Sequence, residues 1–142
     1  MKAVVDTNII IDALTGRDPF REAAEAIFSH AAAMSFEAYL IATSITDIHY
    51  LLRKHLHDRE LTHEAIGKLL VLFQIQDVTY EDCINALASE MKDFEDAVLS
   101  SCAGRAGADY IITRNIKDFK NSFVPAILPD DFLKLLSDEE PM

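Results

Sequence analysis

The chain has little cysteine, no long hydrophobic run and few basic residues, and each shortage excludes a class of protein. Cys83 and Cys102 are the only cysteines among 142 residues, which is too few for a disulfide-stabilised fold of this size. Neither lies in a C-x-x-C motif or beside a histidine-rich segment, so a thiolate metal site is not expected. Both fall in small-residue or apolar helical segments, and we expect buried, reduced thiols.

No apolar stretch approaches the length that crosses a membrane. The first apolar segment, Lys2 to Val5, ends at once in Asp6 and is too short for the apolar region of a signal peptide. We therefore expect a soluble, cytoplasmic protein with no membrane partner. Half of the residues are hydrophobic, which is enough to bury the core of one domain.

Acidic residues outnumber basic ones, and the formal net charge is −11. A protein that holds nucleic acid through a broad basic surface needs the opposite balance, because non-specific affinity comes mainly from phosphate neutralisation. The objection weakens if some of the acidic side chains surround a divalent cation, which inverts the local sign of the charge. An acidic surface also suits a basic protein partner. Composition therefore permits a nucleic-acid enzyme without indicating one.

Buried-strand and amphipathic-helix patterns alternate along the chain. Strands are predicted at residues 2–5, 39–42, 75–78 and 110–113, with a weak one at 126–128. Helices are predicted at 7–14, from Pro19, from Ser44, after a Thr62 cap, at 80–91, at 94–104 and at 130–136. This alternation predicts an α/β fold, a three-layer α/β/α sandwich with a mainly parallel central sheet. Residues 1–136 are predicted to form one domain, and residues 137–142 a short C-terminal tail.

Several carboxylates follow the predicted strands or begin the predicted helices, where functional groups collect in an open α/β sheet. They are Asp6, Asp47, Asp93, Asp96 and Asp118. Taken singly, each has an ordinary interpretation as a helix cap or dipole partner: Ser44 and Asp47 have capping-box spacing, for example. As a converging set they are harder to explain, because carboxylates about 5 Å apart repel by roughly 3 kcal/mol, against about 1 kcal/mol for a cap. A hard divalent cation, Mg²⁺ or Mn²⁺, is the natural compensation.

Three segments resemble the motifs of the PIN-domain family, which includes VapC-like toxin ribonucleases. Val4–Leu14, in which a strand ends in Asp-Thr-Asn, resembles the first motif, and Asp93–Leu99 resembles the third acidic motif. Gly107–Phe119 resembles the strand-to-turn motif that follows. Each segment alone is moderately specific, but the three occur in the family's order and approximate spacing, from Lys2 to about Leu136.

The resemblance implies a ribonuclease fold with an acidic Mg²⁺ or Mn²⁺ site, common in the toxins of bacterial toxin–antitoxin pairs. It implies that Asp6 and Asp96 are the principal metal ligands and that Asp118 completes the metal site, either directly or through water. It also implies that four residues position ligands, water or the scissile phosphate: Thr7, Asn8, Thr113 and Asn115. Asp93 is either a further acid of the site or a plain helix cap.

One position departs from the family pattern. The second acidic residue is typically Glu, and here it is Asp47, one methylene shorter. We keep Asp47 among the catalytic candidates, but its direct contact with a metal is in question, and a bridging water or a weaker activity would follow.

The remaining charged residues have weaker functional interpretations. Asp12 lies almost two helical turns beyond Asp6, and we expect it to face solvent or to cap the next loop. The five histidines support no Ser/His/Asp arrangement. The basic residues that could contact phosphate, or could be ordinary solvated charges, are Arg53, Lys54, Arg114 and Lys117.

These features predict phosphodiester hydrolysis of single-stranded RNA. An aspartyl-phosphate-forming phosphatase is disfavoured, because it requires an Asp-x-Asp pair and the second position is Asn8. A non-catalytic protein-binding module with a degraded metal site, marked by Asp47, stays open as the alternative. An antitoxin partner and a homodimer are hypotheses from the resemblance. The apolar faces at residues 23–28 and 69–73 would serve a homodimer interface, a groove for a partner helix, or simply the core.

Overall fold

The computed structural model describes residues 1–139 and confirms the predicted α/β class. The strands are β1 (Lys2–Val5), β2 (Glu37–Ile41), β3 (Gln74–Gln76), β4 (Tyr110–Ile112) and β5 (Ala126–Ile127). The helices are α1 (Thr7–Thr15), α2 (Arg21–Ala32), α3 (Ala42–Leu56), α4 (Arg59–Leu72), α5 (Tyr80–Ala88), α6 (Phe94–Arg105) and α7 (Pro129–Glu139). A 3₁₀ turn, Ile116–Phe119, follows β4.

All five strands are parallel and pair in the order β3-β2-β1-β4-β5. Successive residues of β1 enter different cores: Ala3 and Val5 pack with residues of α1, α2, α3, α4 and α7, whereas Val4 packs with α5 and α6. Burial on both faces explains why this strand is apolar at every position from Ala3 to Val5. The helices on either side of the sheet complete the predicted three-layer sandwich.

The apolar faces of α2 and α4 belong mainly to the core. Ala24, Ile27, Leu69 and Phe73 are buried, and the rings of Phe28 and Phe73 meet edge to face at 5.5 Å. These contacts confirm the interpretation of both faces as core. Within residues 1–139, no helix is both long enough and apolar enough to cross a bilayer.

Two predicted helix starts are wrong. Thr62 is buried inside α4 and donates to the Asp58 carbonyl at 2.7 Å, and it is Asp58 that caps the helix by accepting from the Leu61 amide at 2.9 Å. Helix α3 begins at Ala42 without a side-chain cap, and Ser44 is buried, so Ser44 and Asp47 do not form a capping box. The last helix continues to Glu139, past the predicted start of the tail, and residues 140–142 lie outside the described residues.

The strand order reverses between β1 and β4. From β1 the chain proceeds outward through β2 to β3, then crosses back to β4 on the other side of β1. Val5 lies beside Ile112 in this pair, and the Asp6 amide donates to the Ile112 carbonyl at 2.9 Å. A crevice beyond the carboxyl ends of such a pair is the usual ligand site of an open α/β sheet. Asp6 and Thr113 are the first residues beyond these two strands.

Candidate active site

Asp6 is the first residue beyond β1 at this switch point and has two structural tasks. As the N-cap of α1, its Oδ1 accepts from the Thr7 amide at 2.8 Å. Its Oδ2 accepts from the hydroxyl of the buried Thr113 at 2.8 Å and from the Asn8 amide group at 3.4 Å. Burial raises the pKa of Asp6, against the bonds from Thr113 and Thr7 and the charge of Arg114, while Asp118 raises it further.

Thr113 and Asn8 link the two strand ends around this carboxylate. The Asn8 amide also reaches the Thr113 hydroxyl at 3.3 Å, and its carbonyl oxygen accepts from the Arg114 amide at 3.4 Å. The Thr113 hydroxyl in turn accepts from the Asn115 amide at 3.1 Å. The Asp-Thr-Asn and Thr-Arg-Asn segments of the sequence therefore form one hydrogen-bonded unit that fixes the orientation of Asp6.

Asp96 comes from the other face of the sheet, in the first turn of α6. Burial, followed by the charges of Asp6, Asp93 and Asp118, raises its pKa to about 7. Carboxylates from three separate segments of the chain are therefore close enough to act on one another. Asp93 is the N-cap of α6 and accepts from the Asp96 amide at 2.9 Å, so it has the helix-cap role while also adding negative charge to the site.

Asp118 lies on the 3₁₀ turn beyond β4. The turn is closed by the Asp118 amide, which donates to the Asn115 carbonyl at 3.0 Å, and is anchored by the buried side chain of Phe119. Asp118 itself is exposed, yet its charge raises the pKa of both Asp6 and Asp96. It therefore closes the solvent side of the acidic site.

Asp47 is connected to the site through a residue that the sequence did not single out. The carboxyl groups of Asp47 on α3 and Glu95 on α6 share a hydrogen bond, and this bond is the largest cause that raises the pKa of Glu95 to about 7. Burial and the charges of Asp47, Asp93 and Asp96 act in the same direction. This contact extends the acidic site from α6 towards α3.

The carboxylate oxygens of Asp6, Asp96 and Asp118 suit a hard divalent cation, although these side chains are not arranged around a single metal position. Within residues 1–139, no three Asp, Glu, His or Cys side chains are arranged to hold a metal ion as they stand. The charge of Asp118 nevertheless raises the pKa of Asp6, and the charges of Asp6 and Asp118 raise the pKa of Asp96. All-oxygen ligands of this kind are those that Mg²⁺ and Mn²⁺ bind. The residues present therefore fit such an ion, with side-chain adjustment on binding.

The interpretation of Asp12 as a solvent-facing or loop-capping residue is wrong. Asp12 is fully buried, and Arg114 donates to both of its oxygens, with Nε at 2.6 Å and Nη2 at 3.3 Å. The Arg114 guanidinium also lies over the Phe20 ring, 4.1 Å from its centroid. Arg114, predicted from the sequence as a candidate phosphate contact, therefore connects α1 and the α1–α2 connection to the segment after β4.

Two local signals could have revealed the missed residues. Asp12 is one helical turn beyond Asn8, so both share the face of α1 that points to β4. Glu95 lies next to Asp96 in the first turn of α6, where an acidic residue is usually explained by the helix dipole alone. Its pairing with Asp47 joins positions 48 residues apart (95 − 47), and nothing in either segment alone predicts that contact.

The fold and the site together define an α/β domain that gathers carboxylates at the switch point of a parallel sheet. The chain belongs to the PIN domain family, whose model matches residues 2–117. No curated protein matches the chain.

Solved structures share the fold over most of their length. A toxin–antitoxin complex from Klebsiella pneumoniae matches with a TM-score of 0.67 and 24% identity, over 89% of this chain and 97% of that chain. VapBC2 from Rickettsia felis, bound to a fragment of promoter DNA, matches with a TM-score of 0.66 and 17% identity over 90% and 98%. VapC20 from Mycobacterium tuberculosis, described as a Sarcin-Ricin loop cleaving toxin, matches with a TM-score of 0.62 and 14% identity over 77% and 86%.

Proposed function

We propose that the chain is a metal-dependent endoribonuclease that hydrolyses phosphodiester bonds in single-stranded RNA. The observation that supports the proposal is the pKa of Asp96, which burial and the charges of Asp6, Asp93 and Asp118 raise to about 7 beside the switch point. A group of acids that oppose one another's ionisation is costly for stability alone, and perturbed carboxyl groups in a crevice are typical of functional sites.

Asp6, Asp96 and Asp118 would hold Mg²⁺ or Mn²⁺. When bound, the ion would polarise a phosphoryl oxygen and lower the pKa of a water molecule. Thr113, Asn8 and the Thr7 amide keep Asp6 in one orientation. Hydrogen-bonding partners of this kind are what orient a metal ligand towards its ion.

The proton-handling groups would be Asp47, Glu95 and Asp118. Glu95, with its pKa near 7, exchanges a proton readily at neutral pH, which suits a general acid or base. Asp47, which contacts Glu95, would help to orient a water molecule towards the phosphate even though Asp47 is shorter than the family's usual Glu. Thr7 and Asn115 would position the substrate beside Asp6.

The biological role that we propose is that of the toxin in a toxin–antitoxin pair, acting in the cytoplasm. Support comes from family membership together with neighbours such as the Klebsiella pneumoniae toxin–antitoxin complex. The net charge of −11 favours a partner protein that carries a basic segment. A homodimer is proposed for the same reason of family likeness. Size-exclusion chromatography of the purified protein, with a search for a short co-purifying protein, would test both assemblies.

The decisive experiment measures cleavage of a labelled single-stranded RNA by the wild-type protein and by Asp96→Asn, with Mg²⁺, Mn²⁺ or EDTA. We expect metal-dependent cleavage by the wild type and a loss of at least about 100-fold in Asp96→Asn, since removing even an outer partner of a metal ligand costs 10–100-fold. Asp131→Asn, the same substitution on an exposed position of α7, is the control and should cut normally. An inert wild type, or an active Asp96→Asn, would instead favour the non-catalytic binding module.

A further inference from the structure

A shallow pocket of about 510 Å³ lies between the C-terminal halves of α1 and α3. Ile11 and Leu51 supply its apolar lining, Thr15 adds a hydroxyl group, and Arg17, Lys54 and His55 supply its basic groups. No acidic residue is among these lining residues, although acidic residues outnumber basic ones almost two to one in the whole chain. Within residues 1–139, neither Arg17 nor Lys54 has a carboxylate within salt-bridge distance.

The pocket lies on the two helices that border the acidic site: α1, which Asp6 caps, and α3, which carries Asp47. On α1, Thr7, Ile11 and Thr15 follow one another at intervals of four residues, which places them on one face. Thr7 adjoins Asp6, and Ile11 and Thr15 line the pocket. On α1, the pocket therefore begins at Ile11, one turn beyond Thr7, which directly follows the catalytic residue Asp6.

Helix α3 repeats the pattern. Leu51, Lys54 and His55 lie four, seven and eight residues beyond Asp47, again on one helical face. Along α1, the rise from Thr7 to Thr15 is about 12 Å. Since α1 and α3 pack against each other, the two faces form a single strip that leads from the acidic site to the basic pocket.

We propose that this pocket binds a backbone phosphate of the RNA substrate, a few nucleotides away from the bond that is cut; the inference rests on the proposed ribonuclease function. A strand whose scissile phosphate lies among the carboxylates must continue along an exposed path, and this strip is continuous with the site. Arg17 and Lys54 supply permanent positive charge for the phosphate, and Ile11 and Leu51 supply apolar surface for a base or ribose. The pocket would provide the phosphate neutralisation that the net charge of the whole protein denies.

The competing explanation is that Lys54 and His55 only compensate the dipole at the end of α3. Arg53 separates the two explanations, because it belongs to the same last turn, is exposed, and does not line the pocket. Arg53→Gln removes the same charge from the same turn as Lys54→Gln does. A dipole or long-range steering effect would therefore be equal in the two variants, whereas a phosphate contact affects Lys54→Gln alone.

The test measures binding of a labelled single-stranded RNA by fluorescence anisotropy at several salt concentrations. The background is Asp96→Asn, which leaves the RNA uncut. We expect Lys54→Gln and Arg17→Gln each to weaken binding several-fold and to reduce the slope of log K against log salt by about 0.7, the value for one lost phosphate contact on a single strand. Arg53→Gln should match the parent in affinity and slope. A dinucleotide, too short to reach the pocket, should bind all four proteins equally.

Three outcomes would overturn the inference. Equal losses in Arg53→Gln and Lys54→Gln would show general electrostatic attraction, and equal binding by all variants would show that the RNA does not touch the pocket. Variants that bind RNA normally but lose a co-purified protein partner would make the pocket a protein-docking surface. Cleavage by the wild type tests the ribonuclease function separately, so a failed pocket with an active enzyme is distinguishable from failure of both.

Discussion

Two carboxylates in this protein, those of Asp82 and Asp96, have opposite electrostatic surroundings. Asp82 on α5 is almost fully buried, yet it is surrounded by donors: the Thr79 amide at 2.9 Å, the Ser101 hydroxyl at 2.8 Å and Arg105 Nη2 at 3.0 Å. Burial opposes its ionisation, but these partners, with Arg105 foremost, hold the pKa of Asp82 well below its usual range. At Asp96, burial is reinforced by Asp6, Asp93 and Asp118, and the pKa is raised to about 7.

The difference separates a structural carboxylate from a functional one. Asp82 joins α5 to α6 and closes a capping box with Thr79, so its charge stabilises the fold. The charge on Asp96 has acidic neighbours instead of donors and opposes the fold until a cation compensates it. Burial alone does not distinguish the two groups, because only the identity of the neighbours decides whether a buried carboxylate is held charged or driven to bind a proton.

The largest effect that we expect is on stability, from Asp82→Asn. The variant leaves Arg105 without its partner and disrupts the capping box, and loss of one member of a buried pair costs about 3–5 kcal/mol. Because Arg105 is partly exposed, we expect about 3 kcal/mol in the free energy of unfolding, measured by urea denaturation. Glu81→Gln, the neighbouring exposed residue on α5, should change it by less than about 0.5 kcal/mol. Asp96→Asn should not destabilise the metal-free protein, and a loss there as large as in Asp82→Asn would remove the contrast.

The two groups also predict opposite dependences of stability on pH. The folded pKa of Asp96 is about 7 against an ordinary 3.8, so the folded state binds the extra proton and this contribution is lost as the pH rises through about 7. The pKa of Asp82 is lowered, so its contribution is present above the ordinary value and is lost as the pH falls below it. Without metal, we expect the free energy of unfolding to fall by on the order of 1 kcal/mol from about pH 5 to about pH 8.

Urea denaturation in EDTA at several pH values measures this decrease. Asp96→Asn should reduce the slope over that range and leave the part that comes from Glu95, whose pKa is also raised to about 7. Equal slopes for the wild type and the variant would mean that the decrease arises elsewhere in the protein.

Metal addition should sharpen the contrast further. A cation that binds only the folded state stabilises it by about 2.7 kcal/mol at 100 times its dissociation constant. We expect Mn²⁺ or Mg²⁺ to raise the Tm of the wild type by several degrees near pH 8, where the acids are charged, and by less near pH 5. Asp96→Asn should show little change, whereas Glu81→Gln should respond as the wild type does. A Tm that rises equally in all three proteins would indicate non-specific binding.

The smallest effect concerns Asp47. In Asp47→Glu the carboxyl group moves one methylene further from α3, which restores the acid usual in the family and alters the pairing with Glu95. We expect a few-fold increase in the rate of RNA cleavage at saturating metal, measured from initial rates, with no change in stability beyond about 0.5 kcal/mol. A decrease in rate would mean that the Asp47–Glu95 pair has the better geometry for this chain.

The sequence predicted most of the sheet and the main acidic residues, but not the contacts that pair them. β1 and β4 are recognisable because apolar, β-branched residues fill both of their faces, and Asp6 and Asp118 stand out because they follow those strands. The start of α3 was missed because Ile41, at its N-cap, carries no capping side chain. The partners of Asp12 and Asp82 were missed because they lie 102 and 23 residues away, and side-chain pairing at such separations depends on packing that no local pattern contains.

The pairing of β1 with β4 has a consequence for the order in which the protein can acquire activity during its synthesis. Asp6 is translated well before the strand that completes its surroundings, which ends at Ile112, and before Asp118, the last acid of the site. A nascent chain that has not reached these residues contains the first carboxylate without Thr113 or Asp118 beside it. A chain that attacks RNA would therefore stay harmless to its own message until Asp118 has been translated.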